Sequence, residues 1–99
     1  MSRRVRYSAA ARDDIKRLYR FLLEQDTAVA RRALDAINRG VDLLREFPFT
    51  CRKVDAANPL LRELVISFGA AGYVALFEID DAQSLTILAV RHQREDDYY

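Results

Sequence analysis

The chain is short of several things at once, and each shortage closes off a class of protein. A single cysteine, Cys51, cannot form an internal disulfide, so nothing points to a secreted scaffold held by cross-links. Charge excess is almost absent: 16 basic and 15 acidic residues leave +1. A strong, non-specific grip on nucleic acid rests on many Lys/Arg–phosphate contacts and shows as a clear basic excess, so direct binding of that kind is not expected. Long apolar runs are missing as well. The longest uncharged stretch, Leu64 to Phe77, is broken by Gly69-Ala70-Ala71-Gly72 and falls short of the roughly 20 apolar residues of a spanning helix, so no membrane association is expected. Met1-Ser2-Arg3-Arg4 leads into Val5-Arg6-Tyr7, without the apolar segment of a signal peptide. The expectation is a cytoplasmic protein.

Familiar catalytic signatures are lacking too. There is no phosphate loop, no Gly-rich dinucleotide fingerprint and no HExxH. His92 and Cys51 have no companions at ligand spacing, so neither a metal nor a cofactor is expected. The acidic clusters Asp80-Asp81 and Glu95-Asp96-Asp97 are accounted for by a turn and a solvated terminus.

What is present suits one α+β domain spanning residues 1–99. Of the 99 residues, 51% are hydrophobic, enough apolar mass for a single core. The near-zero charge hides an asymmetry. Residues 1–20 hold Arg3, Arg4, Arg6, Arg12, Lys16, Arg17 and Arg20 against Asp13 and Asp14, a net +5, whereas residues 74–99 carry a net −4. These ends could face different partners or compensate each other in the fold.

Arg4-Val5-Arg6-Tyr7 alternates polar and apolar residues, as a short half-buried strand does. Ser8 sits where a helix N-cap belongs, and Ala11, Ile15, Leu18 and Leu22 follow as one amphipathic stripe. Asp26-Thr27 offers a second cap before the stripe Ala30, Leu34, Ile37, Val41 and Leu44, which Pro48 should stop after Phe47. So short a connection predicts an antiparallel helical hairpin. Phe49 to Pro59 reads as a loop. Leu61 to Phe68, Tyr73 to Ile79 and Leu85 to His92 read as three strands of an antiparallel meander. The predicted order is β-α-α-β-β-β, with the N-terminal strand and the hairpin packed on an antiparallel sheet. Apolar residues occupy both faces of these strands, with Leu61 and Val65 opposite Leu64 and Ile66, and Val74 and Leu76 opposite Tyr73 and Phe77. One hairpin covers only one face. The other should bind a second polypeptide, unless the loop, the tail or self-association covers it.

The end of the chain, Arg91-His92-Gln93-Arg94 through Tyr98-Tyr99, carries the most suggestive chemistry. A His or Tyr to manage a proton and Arg to stabilise phosphorane-like charge is a set that a metal-free ribonuclease could use. Ordinary pairing of Arg and His with nearby carboxylates is the plainer alternative.

This order of elements resembles the RelE/ParE superfamily of bacterial type II toxins. So do Tyr7-Ser8 before an Ala-rich helix start, Leu44 and Phe47-Pro48 at a helix end, Leu61-Arg62-Glu63-Leu64, and Gly72 to Phe77 paired with Ile87 to His92. The resemblance spans essentially the whole chain. It implies one of two activities: RelE-like members cleave messenger RNA in the ribosome, and ParE-like members poison DNA gyrase. Both are neutralised by a co-expressed antitoxin whose C-terminal segment wraps the toxin. The RelE-like pattern places Lys on the first meander strand, Arg directly after Gly-Tyr, another Arg past the last strand and Tyr near the end. Here those positions hold Val65 and Ser67, Val74, and Gln93 or Arg94, with only Tyr98 or Tyr99 in place. Each lost cation removes several kcal/mol of stabilisation from a phosphoryl-transfer site.

The resemblance therefore implies a ParE-like toxin that binds gyrase, with Arg91, His92, Arg94, Tyr98 and Tyr99 toward the target. It implies an antitoxin over Leu61, Val65, Val74 and Leu76, with Arg62 as an ion-pair partner and Arg12, Lys16 and Arg20 as a second contact. The alternatives are a ribosome-dependent ribonuclease using His92, Arg94 and Tyr99, and an inactive member that only binds its antitoxin.

Overall fold

The computed structural model describes residues 2–93. Both helices begin where a side chain can satisfy their first amides. Ser8 Oγ accepts from Ala11 N at 3.0 Å and opens α1, Ala9–Leu23. Asp26 Oδ1 accepts from Ala28 N at 2.8 Å and Val29 N at 3.2 Å and opens α2, Thr27–Leu44. The helices form the expected hairpin, and among the described residues neither is long and apolar enough to cross a membrane. The α2 helix ends three residues before Phe47, and Pro48 starts a single 3₁₀ turn, Pro48–Thr50.

The remaining elements form one five-stranded sheet in the order β1-β5-β4-β3-β2. These are β1 Arg4–Tyr7, β2 Arg52–Asp55, β3 Asn58–Phe68, β4 Ala71–Ile79 and β5 Ser84–His92. Two features depart from the sequence expectation. The sheet is mixed, because β1 runs parallel to β5, with Val5 opposite Leu85 and Tyr7 opposite Ile87. The intervening hairpin supplies the crossover that a parallel pair requires. The predicted loop Phe49 to Pro59 also contains β2, every residue of which is exposed. An all-exposed strand carries no burial period, so its pairing with β3 (Arg52 opposite Glu63) defines it.

The core lies between the hairpin and one face of the sheet. Phe77, Leu85, Ile87 and Val90 have no accessible surface, and they pack with Leu18, Ile37, Val41 and Leu44 from the helices. Alanines at 30, 33 and 36 let α2 lie close, and Gly40 takes this further. A Cβ there would come within 2.9 Å of Ile66 Cγ1 and 3.2 Å of Leu64 Cδ2, so this glycine admits the strand rather than the other helix. At the other end of β3, Gly69 takes φ +61° in a two-residue turn joining Phe68 to Ala71.

The two outer margins of the sheet are treated differently. Beyond Tyr7, where β1 stops, the edge of β5 is closed by α1. Ser8 N donates to Ile87 O at 2.9 Å, Ser8 Oγ to Leu88 O at 3.1 Å, and Val90 N to Asp14 Oδ2 at 3.0 Å. On the opposite side β2 pairs only as far as Glu63, which leaves Leu64–Phe68 of β3 as an open edge among the described residues.

Candidate functional site

Strand register gathers the expected face. Val65 lies opposite Val74, and Val74 opposite Arg91, so these three form a row across β3, β4 and β5. The neighbouring rows are Glu63–Leu76–Ala89 and Leu61–Glu78–Thr86. All point away from the hairpin, because the alternate residues Ile66, Tyr73, Ala75, Phe77 and Val90 point into the core. Leu61, Val65, Val74 and Leu76 thus share one face as predicted, but not equally. Val65 is 48% exposed, whereas Leu76 is only 8% exposed and cannot be the accessible contact it was expected to be.

Arg62 does not belong to that face. It is 8% exposed and turned to the helix side, opposite Phe77. Its Nε donates to Pro59 O at 2.8 Å, and its Nη1 donates to Phe49 O at 3.0 Å and Cys51 O at 2.8 Å. The guanidinium carbon also lies 5.1 Å from the centre of the Phe49 ring. A guanidinium consumed by three carbonyls holds the 3₁₀ turn and the start of β2 onto β3; it is not offered to a partner. Beside it, burial pushes the Cys51 thiol up from its ordinary value, partly offset by the Arg62 charge.

Arg91 and His92 also part company. They are adjacent on a strand, so they face opposite sides of the sheet. His92 lies opposite Tyr73 on the hairpin side, edge-on to its ring at 5.7 Å between centres, and Tyr73 in turn lies 6.1 Å from Phe68. With Leu18, Phe21 and Leu22 of α1 these rings line an open, mainly apolar cavity of about 690 Å³. Desolvation in this corner raises the Tyr73 phenol above its ordinary value. Arg94, Tyr98 and Tyr99 lie outside the described residues.

The cations of the first helix are displayed as expected. Arg12, Lys16 and Arg20, spaced by four, are exposed on one side of α1. Arg17 beside them lies 3.7 Å from Asp14.

One candidate was not anticipated. The open edge Leu64–Phe68 borders α2 at Arg39, Gly40 and Leu43, with an open cavity of about 540 Å³ between them. Leu43 is 59% exposed there and Val65 48%. An open strand edge beside apolar side chains can accept an extended segment by main-chain pairing and read its side chains in the groove. A predicted strand flanked by an apparent loop was the available signal, since such a strand has no neighbour on that side.

Comparison with known proteins agrees with this architecture. Residues 5–97 match the family described as the ParE toxin of type II toxin-antitoxin system, parDE. Toxin RelE3 of Caulobacter vibrioides is 35% identical over 86 residues, covering 86% of this chain and 88% of that protein. The fold matches a structure described as the chromosomal ParDE TA system from P. aeruginosa, with a TM-score of 0.72, 16% identity, and coverage of 92% of this chain and 96% of that one. With a mixed sheet, an α-hairpin on one face and a family match over nearly its whole length, the chain belongs to the ParE toxin family of type II toxin–antitoxin systems.

Proposed function

We propose that this toxin works in the cytoplasm as a single unit that binds and inhibits DNA gyrase, rather than as an enzyme that cuts RNA. The observation that carries this reading is the row Val65–Val74–Arg91. A metal-free nuclease needs several cations converging on one phosphate, because its transition-state charge must be met by preorganised donors. Among the described residues, the centre of this face offers two valines beside one arginine. His92, the natural proton carrier, is turned through the sheet toward Tyr73 and α1. Arg91, the exposed Val65 and the half-buried Val74 remain suited to a protein surface.

Supercoiling by purified gyrase and toeprinting of a translated messenger RNA, each with added toxin, test the proposal. Inhibited supercoiling with intact message is expected. Message cleavage with gyrase unaffected would establish the ribonuclease reading suggested by the name of the Caulobacter relative, and no effect in either assay would leave an inactive, antitoxin-binding member.

Membership of the family brings a cognate antitoxin, and we assign it to the Val65–Val74 face and the adjoining open edge of β3. Val65→Lys should weaken antitoxin binding by about 100-fold, the loss of nearly 3 kcal/mol typical of a central apolar contact. Because Val65 is about half exposed, stability should change by no more than about 0.5 kcal/mol. Titration calorimetry beside a melting curve checks both, and unchanged affinity would remove Val65 from the interface.

A further inference from the structure

The basic leading segment is only partly used by the surfaces above. Its first three arginines gather at the opposite end of the molecule from His92, about 26 Å away along β5. There the start of β1, the carboxyl end of α2 and the turn between β4 and β5 are tied together by backbone. Arg3 N donates to Arg45 O at 2.9 Å, and Arg4 N to Gln83 O at 2.7 Å. The result is an open cavity of about 510 Å³ lined by Arg3, Arg4, Arg6 and Arg45, with Asp81 as its one carboxylate among the described residues.

These charges are unequally committed. Asp81 Oδ1 is held by its own turn, accepting from Gln83 N at 2.8 Å and Ser84 Oγ at 3.1 Å. Asp80 accepts from the Thr86 hydroxyl at 2.7 Å. Arg45 is 3.3 Å from Asp42, and Arg3 donates to the Asp81 carbonyl at 3.5 Å while lying 5.6 Å from the Phe49 ring centre. Arg4 and Arg6 are exposed and share one side of β1, about 6.6 Å apart. Neither comes within salt-bridge distance of a carboxylate among the described residues, although the turn's own hydrogen bonds, helped by the Arg6 charge, hold the Asp81 carboxyl below its ordinary value.

We propose that this arginine cavity is a phosphate-backbone contact that takes successive phosphodiester groups of duplex DNA. The guanidinium fork matches phosphate oxygens in paired hydrogen bonds. A protein ligand is disfavoured because, among the described residues, no apolar side chain lines the cavity, and protein interfaces draw their affinity from buried apolar anchors. On a chain of net charge +1 the contact is weak and salt-sensitive, an addition to a protein target and not a substitute for one. It stands whichever macromolecular target the toxin engages.

Fluorescence anisotropy of a labelled 20-bp duplex with the full chain, titrated with salt, tests it. Three phosphate contacts give a log–log slope of about −2.7, or a roughly 40-fold loss of affinity between 50 and 200 mM salt. The double variant Arg4→Gln/Arg6→Gln should reduce that to about 3-fold. Arg31→Gln/Arg32→Gln, which removes two exposed charges from α2, should keep the native slope. Arg4→Lys/Arg6→Lys should also keep it, which separates loss of charge from damage to β1. Equal losses in both glutamine doubles, an unchanged slope in the first, or saturable binding of inorganic phosphate without duplex binding would each overturn the assignment.

Discussion

Arg62→Ala is expected to cost about 3 kcal/mol of folding free energy, which for a chain of this size lowers the melting temperature by about 15 °C. The loss has two parts. Three carbonyls, of Phe49, Cys51 and Pro59, lose their donor, and the Phe49 ring loses the cation beside it. Hydrogen bonds to a charged group are worth more than neutral ones, and leaving their part-buried partners without a donor adds a desolvation cost. Arg62→Lys should recover little, because one ammonium cannot reproduce a fork that reaches carbonyls in three directions. Urea unfolding measures the loss, and limited proteolysis should show early cleavage between Pro48 and Asp55. A loss below 1 kcal/mol would mean that the turn and β2 are held by something else.

Gly72→Ala should be about as damaging, at roughly 3 kcal/mol, for a different reason. Gly72 lies opposite Ser67, and a Cβ built there runs into the carbonyl oxygen of Ile66. Backbone cannot rotate aside as a flexible side chain can, so β3 and β4 must separate locally. The same substitution at Gly69, where the φ is positive but nothing lies within 4 Å, should produce a smaller, purely conformational cost. Comparing the two variants by urea unfolding isolates the steric part. Equal losses at both positions would contradict the clash.

What the sequence revealed depended on the range of the interaction. The caps at Ser8 and Asp26 were legible because a cap is a contact across two or three residues. The apolar stripes of α1 and α2 were legible because burial imposes a 3.6-residue period. The β2 strand was not, because Arg52-Lys53-Val54-Asp55 is exposed throughout and so shows no burial period; only its pairing with β3, irregular between Lys53 and Asp55, defines it. Nor was the parallel pairing of β1 with β5, which joins the two ends of the chain.

Strand parity alone separates several of the candidate residues. Arg62 shares its side of β3 with Leu64 and Ile66, which were already assigned to one face. Arg91 and His92, as neighbours on a strand, could never have pointed the same way. The register that aligns Val65 with Val74 and Arg91 depends on the two-residue turn at Gly69-Ala70, and the turns on either side of β4 are one or two residues shorter than the sequence pattern predicts.

The unequal margins of the sheet give the toxin a valence. Short, charged strands guard two stretches of edge, and α1 seals a third with Ser8 and Asp14. Among the described residues, five, Leu64–Phe68, remain able to receive a strand. A strand added at that stretch pairs its free N–H and C=O groups, and the stretch is then used up. Two toxin molecules meeting there would cap each other and stop. The same opening that we assign to the antitoxin therefore limits what the free toxin can build from itself through that edge.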